Sequence, residues 1–335
     1  MNNTLFVLLD GAEDDPIDMF GGRKPLDTAE TPYMDSVAVN RYRTMGRGYT
    51  HLFLNEFFTG HPPDAARAAL EAMGLGLDMK DRSRTAYRLS PAEICDGMIH
   101  WSYHGASYRD RLVGSVEKNL KLLDDLDPQI KFFIGGRAIL TMRSNEIPDL
   151  PAPPNDAEYV KVPGRLGEFV EAVMDDMGGI TDYPWGCGKL GHQYPGFDGL
   201  GKMTAVSNSP TALGISASLG HDIRFVEELD ERFPVAAECL ENGNVFLHID
   251  EVDEYSHQKD PMKKKEVIEH TDRMMEKYFP DAKNIVFFAD HGTSCVSGCH
   301  IITDVPVWTD IDLGSAENKI IDTDRVVPLI LANRK

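Results

Sequence analysis

Short runs of consecutive apolar residues alternate with amphipathic stretches near both ends of the chain. Runs of this length without a polar alternation are typical of strands in a parallel sheet that is covered on both faces. They occupy residues 5–9, 203–206, 222–226, 244–249, 284–288 and 326–331. Between them, Ser209-Pro210 is a helix-start signal and Gly220 a stop signal, and Pro261 begins a second helical segment. Alternating strands and helices predict an α/β fold with a doubly wound, mostly parallel sheet.

The middle of the chain has a different pattern. Residues 84–89 alternate like a half-exposed strand, residues 112–123 carry a helical apolar stripe, and residues 132–135 and 138–142 resemble a hairpin or neighbouring strands. A second amphipathic helix is predicted over residues 166–177. We therefore expect a smaller α+β lid domain at residues 75–198, inserted into a core formed by residues 1–74 and 199–335.

Three of the predicted core strands lead into residues that bind metals in proteins. The carboxyl ends of parallel strands meet at one edge of a sheet, so these side chains are expected to lie close together. Carboxylate and imidazole groups suit hard or borderline divalent ions. In chain order the candidate metal ligands are Asp10, Asp253, His257, Asp290, His291 and His300.

Each candidate also has a simpler interpretation. Asp10 followed by glycine is a common turn, Asp290 with His291 could be a helix cap beside a surface histidine, and Asp253 with His257 could be an exposed pair at a helix start. Their occurrence at the same topological place favours a metal site. Cys295 and Cys299 beside His300 do not have the spacing of a common zinc site, and no second cysteine pair exists in the sequence.

Charge and composition narrow the possible partners. The formal net charge is -20, which argues against a nucleic-acid surface, although bound cations can invert the local sign. The 5 cysteines are scattered, as in reduced intracellular proteins. No apolar stretch approaches the roughly 20 residues of a membrane helix, and because the first residues lead directly into a predicted strand we expect no signal peptide. We expect a cytoplasmic protein that binds neither nucleic acid nor membrane.

Three segments carry a resemblance to a known family. They read LLDGAEDDPIDMFGGRKPLDTAETPYMDSVA, HIDEVDEYSH and ADHGTSCVSGCHIITDVPV. They are similar to the metal-binding segments of the archaeal-type cofactor-independent phosphoglycerate mutases, which belong to the alkaline phosphatase superfamily.

The resemblance implies a fold, a cofactor and an activity. The fold would be an alkaline phosphatase-like core with a lid. The cofactor would be two divalent ions (Mn, Zn or Mg), one held by Asp253, His257 and His300 and the other by Asp10, Asp290 and His291. The activity would be a glycolytic isomerisation of a small phosphorylated acid. The oligomeric state stays open.

The chain departs from this family at the nucleophile. Family members carry a serine at a helix start in a Gly-Ser-Asp-x-Ala-His/Asn-Leu segment, whereas this chain has MGRGYTHLFL, residues 45–54. If His51 is matched to the family's histidine, Arg47 falls where the serine should be, and Thr50 is the nearest hydroxyl. Thr44 and Thr59 are more distant alternatives. With Thr50 a phosphothreonine would form. With Arg47 the guanidinium would bind a phosphate or a carboxylate, and either water would attack directly or the site would only bind.

The substrate side is also changed. EELDERFPVAAEC stands where the family has a Gly-Ala-Thr-Gly segment, and Arg47, Arg88, Arg137 and Lys202 are the candidates for anion contacts. Three functions remain open: a mutase-like phosphotransferase, a metal-dependent phosphate or phosphonate ester hydrolase, and a non-catalytic metal-binding homologue.

Overall fold

The chain divides into two compact units. The computed structural model describes residues 3–102, 107–153, 155–314 and 320–334. The core unit comprises Met1–Pro63 and Tyr194–Lys335, and the inserted unit comprises Asp64–Gln193. The sequence pattern placed the insertion later, at residues 75–198, because the helix that follows residue 64 does not differ in pattern from those of the core.

The strands are mostly short and well buried. Their bounds are β1 Leu5–Leu9, β2 Asn40–Met45, β3 Arg84–Cys95, β4 Met98–Trp101, β5 Gln129–Phe132, β6 Ala138–Arg143, β7 Ala157–Glu158, β8 Ile180–Gly188, β9 Met203–Ser207, β10 Asp222–Phe225, β11 Asn244–Ile249, β12 Ile285–Phe288, β13 Gly292–Thr293, β14 His300–Ile301 and β15 Asp304–Thr309.

The α-helices occur in both units, and short 3-10 segments cover Asp18–Phe20 and Leu120–Leu126. The α-helices are α1 Pro25–Thr28, α2 Pro32–Val37, α3 Thr50–Thr59, α4 Arg67–Gly74, α5 Arg109–Asn119, α6 Gly164–Met177, α7 Pro210–Ser218, α8 Leu229–Leu240, α9 Glu251–His257, α10 Pro261–Tyr278 and α11 Thr323–Asn333.

The sheet of the core unit confirms the predicted mostly parallel architecture. Its described strands follow the order β10-β9-β11-β1-β12-β15-β2. The first five pair in parallel, β15 is antiparallel to β12, and β2 is antiparallel to β15. Strand β2 therefore runs in the same direction as β12. One edge of the sheet consequently carries the carboxyl ends of β1, β2, β9, β11 and β12.

Helix α3 is anchored to this sheet by aromatic packing. The ring of Phe57 stacks on Phe288 of β12 with centroids 4.5 Å apart, and it also contacts Phe53 and, edge-on, Phe6. All four side chains are buried. This packing fixes where the first turn of α3 lies relative to the ends of β1 and β12.

The inserted unit is an antiparallel sheet with helices on both faces. Its described strands follow the order β5-β6-β3-β4-β7, and β8 pairs with β3. Helices α5 and α6 pack with Tyr87 and Leu89 of β3. Helix α4 packs its alanines against Ala86 and Ile139. Because successive residues of a strand point to opposite faces, Ala86 and Tyr87 serve the two different layers.

One predicted strand is wrong. Residues 326–331 form part of α11, in which Val326, Val327 and Ile330 are buried. These positions are one, three and four residues apart, which is the spacing of a helical face. A short apolar run does not by itself distinguish a buried strand from a helix.

Among the residues that the structure describes, no helix has the combined length and apolar character needed to cross a bilayer.

Replacing Phe57 with alanine tests the anchoring of α3. We expect Phe57→Ala to lower the free energy of unfolding by about 3–5 kcal/mol, because it opens a cavity among stacked rings. The half-exposed Phe225 of β10 is a matched control, and Phe225→Ala should change the stability by less than about 1 kcal/mol. Urea unfolding measures both variants. Equal losses in the two variants would contradict the anchoring role.

Candidate metal centre

The shared strand edge brings the predicted ligands together. Asp10 follows β1, Asp290 and His291 follow β12, and Asp253 and His257 lie on α9, which begins directly after β11. His300 begins β14, which pairs with β13 so that His300 lies opposite Thr293. Side chains distant in sequence thus meet in one region.

Asp253, His257 and His300 form the first cluster. Their ligand-type atoms lie within 4.8 Å of one another. His257 Nε2 lies 3.1 Å from Asp253 Oδ2 and 3.1 Å from His300 Nε2, and His300 Nε2 lies 3.8 Å from Asp253 Oδ1. The three groups have the spacing of metal ligands.

Asp10, Asp290 and His291 form the second cluster. His291 Nε2 lies 3.2 Å from Asp10 Oδ1 and 3.4 Å from Asp290 Oδ2. Asp253 also joins this group, since its ligand atom lies within 4.8 Å of those of Asp10 and His291. A carboxylate shared between the two clusters was not predicted from the sequence.

Each imidazole of the two clusters is oriented by a hydrogen bond at Nδ1, the ring nitrogen that faces away from the cluster. His257 Nδ1 lies 2.8 Å from the carbonyl oxygen of Gly298, and His300 Nδ1 lies 2.8 Å from that of Gly48. His291 Nδ1 lies 3.1 Å from the hydroxyl of Thr293. A metal-binding histidine typically donates its second N–H in this way, which turns the Nε2 lone pair towards the ion.

The carboxylates also fit a cation. Asp10 Oδ1 and Asp290 Oδ2 are buried and have no hydrogen-bond partner within the described part of the chain. Buried anionic oxygens without a donor are costly unless a positive charge is near. The oxygens and imidazole nitrogens present here are the donor set of Mn, Zn or Mg sites, so the residues fit a divalent ion.

Without an ion, protons have to supply the positive charge. Burial disfavours the charged imidazoles, but the Asp253 carboxylate outweighs it and raises the pKa of His257 to about 9. Likewise Asp290 and Asp10 raise the pKa of His291 to about 10 against the effect of burial. Burial alone would raise the pKa of Asp10 and of Asp253. Hydrogen bonds to histidines outweigh burial, so the pKa of each carboxyl group lies below its ordinary value.

Gly11 is required by the close approach of Asp253. It has a positive φ of 62°, and its amide donates to Asp290 Oδ1 over 3.2 Å. A Cβ atom at this position would lie 2.5 Å from Asp253 Oδ1 and 2.6 Å from Thr293 Oγ1. The Thr293 hydroxyl itself donates a short hydrogen bond to Asp253. The glycine therefore leaves room for the carboxylate that the two clusters share.

His248 was missed by the sequence analysis. It is fully buried within β11, and its Nε2 lies 2.8 Å from Asp10 Oδ2, while its Nδ1 lies 2.8 Å from the Ser207 hydroxyl. Asp250, whose Oδ1 lies 3.8 Å from His248 Nε2, completes a third group with Asp10. The one sequence signal was a histidine within the apolar run of β11, a polar residue at a position where apolar residues are expected.

Of the three threonine candidates for the nucleophile, Thr50 lies at the centre. It is the first residue of α3, and its Oγ1 lies 3.4 Å from Asp10 Oδ2 and 3.4 Å from His291 Nε2. The other two threonine candidates bond elsewhere. Thr44 lies 3.0 Å from the hydroxyl of Thr323, and Thr59 donates to the carbonyl of Asn55 over 2.6 Å.

The Arg47 guanidinium is bound to a neighbour. Its Nε and Nη2 donate to the two oxygens of Glu56, over 2.8 and 2.7 Å. A paired fork of this kind holds the charge against α3. The structure therefore places a hydroxyl, Thr50, rather than Arg47 next to the carboxylates.

The remaining predicted anion contacts lie elsewhere. Lys202 precedes β9, at the opposite edge of the core sheet, and pairs with Asp222 over 2.9 Å. Arg88 belongs to the inserted unit, where it forms an ion pair with the fully buried Glu71 and lies over the Trp185 ring. Burial, together with the charges of Arg67 and Arg137, lowers the pKa of Arg88 to about 9 despite Glu71. Arg67 was not predicted as a site residue.

The chain is similar to several known proteins. Residues 196–312 match the Metalloenzyme superfamily. A protein of Thermococcus kodakarensis named 2,3-bisphosphoglycerate-independent phosphoglycerate mutase is 27% identical over 90% of this chain and 87% of its own length.

Two solved structures share the fold. The PH0037 protein from Pyrococcus horikoshii superposes with a TM-score of 0.73 at 20% identity, covering 98% of this chain and 96% of that one. The cofactor-independent phosphoglycerate mutase from Thermoplasma acidophilum superposes with a TM-score of 0.57 at 19% identity, covering 98% and 99%.

Residues 196–312 thus match a metalloenzyme superfamily domain, and this match together with the mutase homologues implies binding of a divalent metal. Its homologues include archaeal proteins named 2,3-bisphosphoglycerate-independent phosphoglycerate mutase, and the family resemblance found in the sequence is confirmed.

Substitution of Gly11 tests whether the shared carboxylate binds metal. We expect Gly11→Ala to weaken Mn²⁺ binding at least about tenfold, because the new methyl group displaces Asp253. Gly21→Ala is the matched control, since Gly21 has a φ of 66° and nothing within 4 Å of the added Cβ. Isothermal titration calorimetry measures both. Equal Mn²⁺ affinities of Gly11→Ala and Gly21→Ala would show that metal binding does not depend on the present position of Asp253.

The pH dependence of the metal-free protein tests the protonated histidines. The pKa of His257 is raised from 6.5 to about 9, so its contribution to stability is complete below pH 6.5 and is lost as pH rises through 9. We expect the urea midpoint of chelator-treated protein to fall over this window, and to fall less in His257→Gln. If the urea midpoint of His257→Gln fell with pH as steeply as that of the unmodified chain, the raised pKa would not belong to His257.

Proposed function

We propose that the chain is a divalent-metal-dependent phosphotransferase of the phosphoglycerate mutase type, with Thr50 as the residue that accepts the phosphoryl group. The observation that carries the proposal is the position of Thr50 Oγ1, 3.4 Å from both Asp10 Oδ2 and His291 Nε2 at the start of α3. The names of the homologues support the reaction type.

The proposed cofactor is a pair of divalent ions. Asp253, His257 and His300 would hold one ion, and Asp10, Asp290 and His291 the other, with Asp253 near both. Ions bound there supply the positive charge that phosphoryl oxygens need, and they favour ionisation of a nearby hydroxyl.

Thr50 is suited to receive an anionic group. It is the first residue of a ten-residue helix, where the helix dipole and the first amide groups favour negative charge. The N-cap residue Tyr49 makes no side-chain capping bond. The positive end of α3 is thus directed to the same place as the Thr50 hydroxyl.

The proposed reaction has two transfers. In the first, a bond forms between Thr50 Oγ and phosphorus, the bond from phosphorus to the substrate oxygen breaks, and the Thr50 proton is passed to that oxygen. In the second, another hydroxyl of the same molecule takes the phosphoryl group and returns a proton to Thr50. No water is consumed, so the net reaction is an isomerisation.

The inserted unit carries a group of cationic side chains. Arg88 is buried, the charges of Arg67 and Arg137 both act on it, and Glu71 is the acidic partner of Arg67 and Arg88. Arg67 and Arg88 share the carboxylate of Glu71, and the charge of Arg137 also acts on Arg88, in a chain whose net charge is -20. We assign this cluster to binding an anion.

Thr50 variants test the proposal directly. In the presence of Mn²⁺, Thr50→Val should convert 3-phosphoglycerate to 2-phosphoglycerate at least about a thousandfold more slowly, because the accepting hydroxyl is lost. Thr50→Ser should retain turnover. Thr59→Val, at the other end of α3, is the control and should keep activity close to that of the unmodified chain. Mass spectrometry of quenched unmodified protein should find phosphothreonine at residue 50.

Other outcomes identify the alternatives. Release of inorganic phosphate without isomerisation would make the chain a hydrolase. Full activity of Thr50→Val would exclude Thr50 as the acceptor. Bound metal without turnover of a panel of phosphate and phosphonate esters would make it a non-catalytic homologue.

A further inference from the structure

A lysine occupies a fully buried position of α10. Lys264 has the same helical spacing as the buried residues Ile268, Thr271 and Met275, so it lies on the face of α10 that packs into the core. Its side chain is 0% exposed to solvent. A buried ammonium group is costly unless its N–H groups find acceptors. The contacts of Lys264 therefore show what its charge stabilises.

Four oxygen atoms surround the ammonium group of Lys264. Its Nζ donates to the carbonyl oxygen of Gly11 over 2.9 Å, to that of Glu13 over 3.1 Å and to that of Thr293 over 3.0 Å. The fourth acceptor is Asp14 Oδ2 at 2.9 Å, and the side chain of Asp14 is also fully buried. Because an ammonium group has three N–H groups, every one of them is used within the protein.

The acceptors belong to the two loops that carry metal ligands. Residues 11–14 follow Asp10 at the end of β1, and Thr293 lies two residues after His291 at the end of β12. Asp14 connects the same loops, because its Oδ1 accepts from the amide of Cys295 over 2.9 Å. The buried ion pair of Asp14 with the lysine therefore joins one ligand-bearing loop to the other.

Two of the residues that the lysine binds contact metal ligands themselves. Gly11 accepts from the lysine through its carbonyl oxygen, and its amide donates to Asp290 Oδ1 over 3.2 Å. Thr293 also accepts through its carbonyl oxygen. Its hydroxyl donates to Asp253 and lies 3.1 Å from His291 Nδ1. Each contact places a residue held by the lysine beside a ligand.

Stability alone does not require a charge at this position. Removing one partner of a buried ion pair is strongly destabilising, whereas replacing both partners by uncharged groups of similar volume is often neutral. An uncharged pair at residues 14 and 264 would keep the packing of α10. It would leave the carbonyl oxygens of Gly11, Glu13 and Thr293 without their common donor, so the lysine matters most for the two loops.

We propose that Lys264 is a positioning residue of the metal centre. By binding the carbonyl oxygens of Gly11 and Thr293 at the same time, Lys264 fixes the loop after β1 relative to the loop after β12, and so holds the ligands of the two clusters at the spacing that divalent ions need. The inference rests on the metal centre of the proposed function and is independent of which reaction the centre performs.

Two variants separate positioning from stability. Lys264→Met leaves the Asp14 carboxylate buried without its cation, whereas Asp14→Asn/Lys264→Met removes both charges and keeps an oxygen for the Cys295 amide. We expect the urea midpoint of the metal-free protein to fall in the single variant and to recover largely in the double variant. Both variants should bind Mn²⁺ about 10- to 100-fold more weakly than the unmodified chain in isothermal titration calorimetry, because both lack the common donor. If the single variant does not fold, the double variant carries the test.

Lys263→Met is the matched control. Lys263 is the preceding residue of α10, but its side chain is 54% exposed and its Nζ lies 3.8 Å from Asp260 Oδ2. Lys263→Met should bind Mn²⁺ like the unmodified chain.

Amide hydrogen exchange of the metal-free proteins locates the effect. The Gly11 amide donates to Asp290, and the Thr293 amide donates to the carbonyl oxygen of Glu13 over 2.9 Å. Both amides should exchange faster in the double variant than in the unmodified chain, while the amides that join β1 and β11 keep their rates, because only the loops loosen. Equal acceleration of both sets would show a general loss of stability and would overturn the positioning role.

The outcomes separate this inference from the function on which it rests. A double variant that regains the Mn²⁺ affinity of the unmodified chain together with its stability would show that Lys264 only neutralises Asp14, and would overturn the positioning role alone. An unmodified chain that binds no Mn²⁺ would overturn the metal centre and both proposals. Normal Mn²⁺ binding without mutase activity would overturn the proposed reaction and leave the role of Lys264 intact.

Discussion

Two imidazole nitrogens face each other across 3.1 Å, Nε2 of His257 and Nε2 of His300, while the opposite nitrogen of each ring is bound to a backbone carbonyl. Two lone pairs in this position repel one another unless a positive charge lies between them or on one of them. Two carboxylate oxygens, on Asp10 and Asp290, are buried beside His291 under the same constraint. The need for positive charge at this edge of the sheet governs the chemistry of the whole centre.

The fold can bring so many carboxylate and imidazole groups together because the sheet is stabilised by apolar contacts that do not depend on these groups. Strands β1, β11 and β12 are buried throughout, and Phe57 fixes α3 against β12. Hydrophobic burial thus offsets the electrostatic cost of bringing the carboxylates together. The stable apolar core therefore allows the protein to keep a destabilising cluster of carboxylates at the strand ends, where the cluster can bind cations.

Much of the centre could be predicted from the sequence because its ligands follow apolar runs. Asp10, Asp253 and Asp290 each come within a few residues of a strand end, and parallel strands end at one edge. The choice between Arg47 and Thr50 could not be made in this way. It depends on where α3 begins and on the ion pair between Arg47 and Glu56, and both are tertiary features. His248 and Ser207 lie inside strands, where a polar residue in an apolar run is the only signal and does not show what its side chain supports. The apolar run over residues 326–331 led to a wrong prediction of a strand. Several of its residues are buried as expected, but its backbone is helical.

The central claim is that these side chains converge to bind divalent cations. Electron paramagnetic resonance of the chelator-treated protein titrated with Mn²⁺ tests it most directly. The account predicts two tightly bound equivalents with magnetic coupling between them, and modulation from histidine nitrogen that weakens in His257→Gln. A titration that leaves the spectrum of free aqueous Mn²⁺ unchanged, or bound Mn²⁺ without any nitrogen modulation, would contradict it.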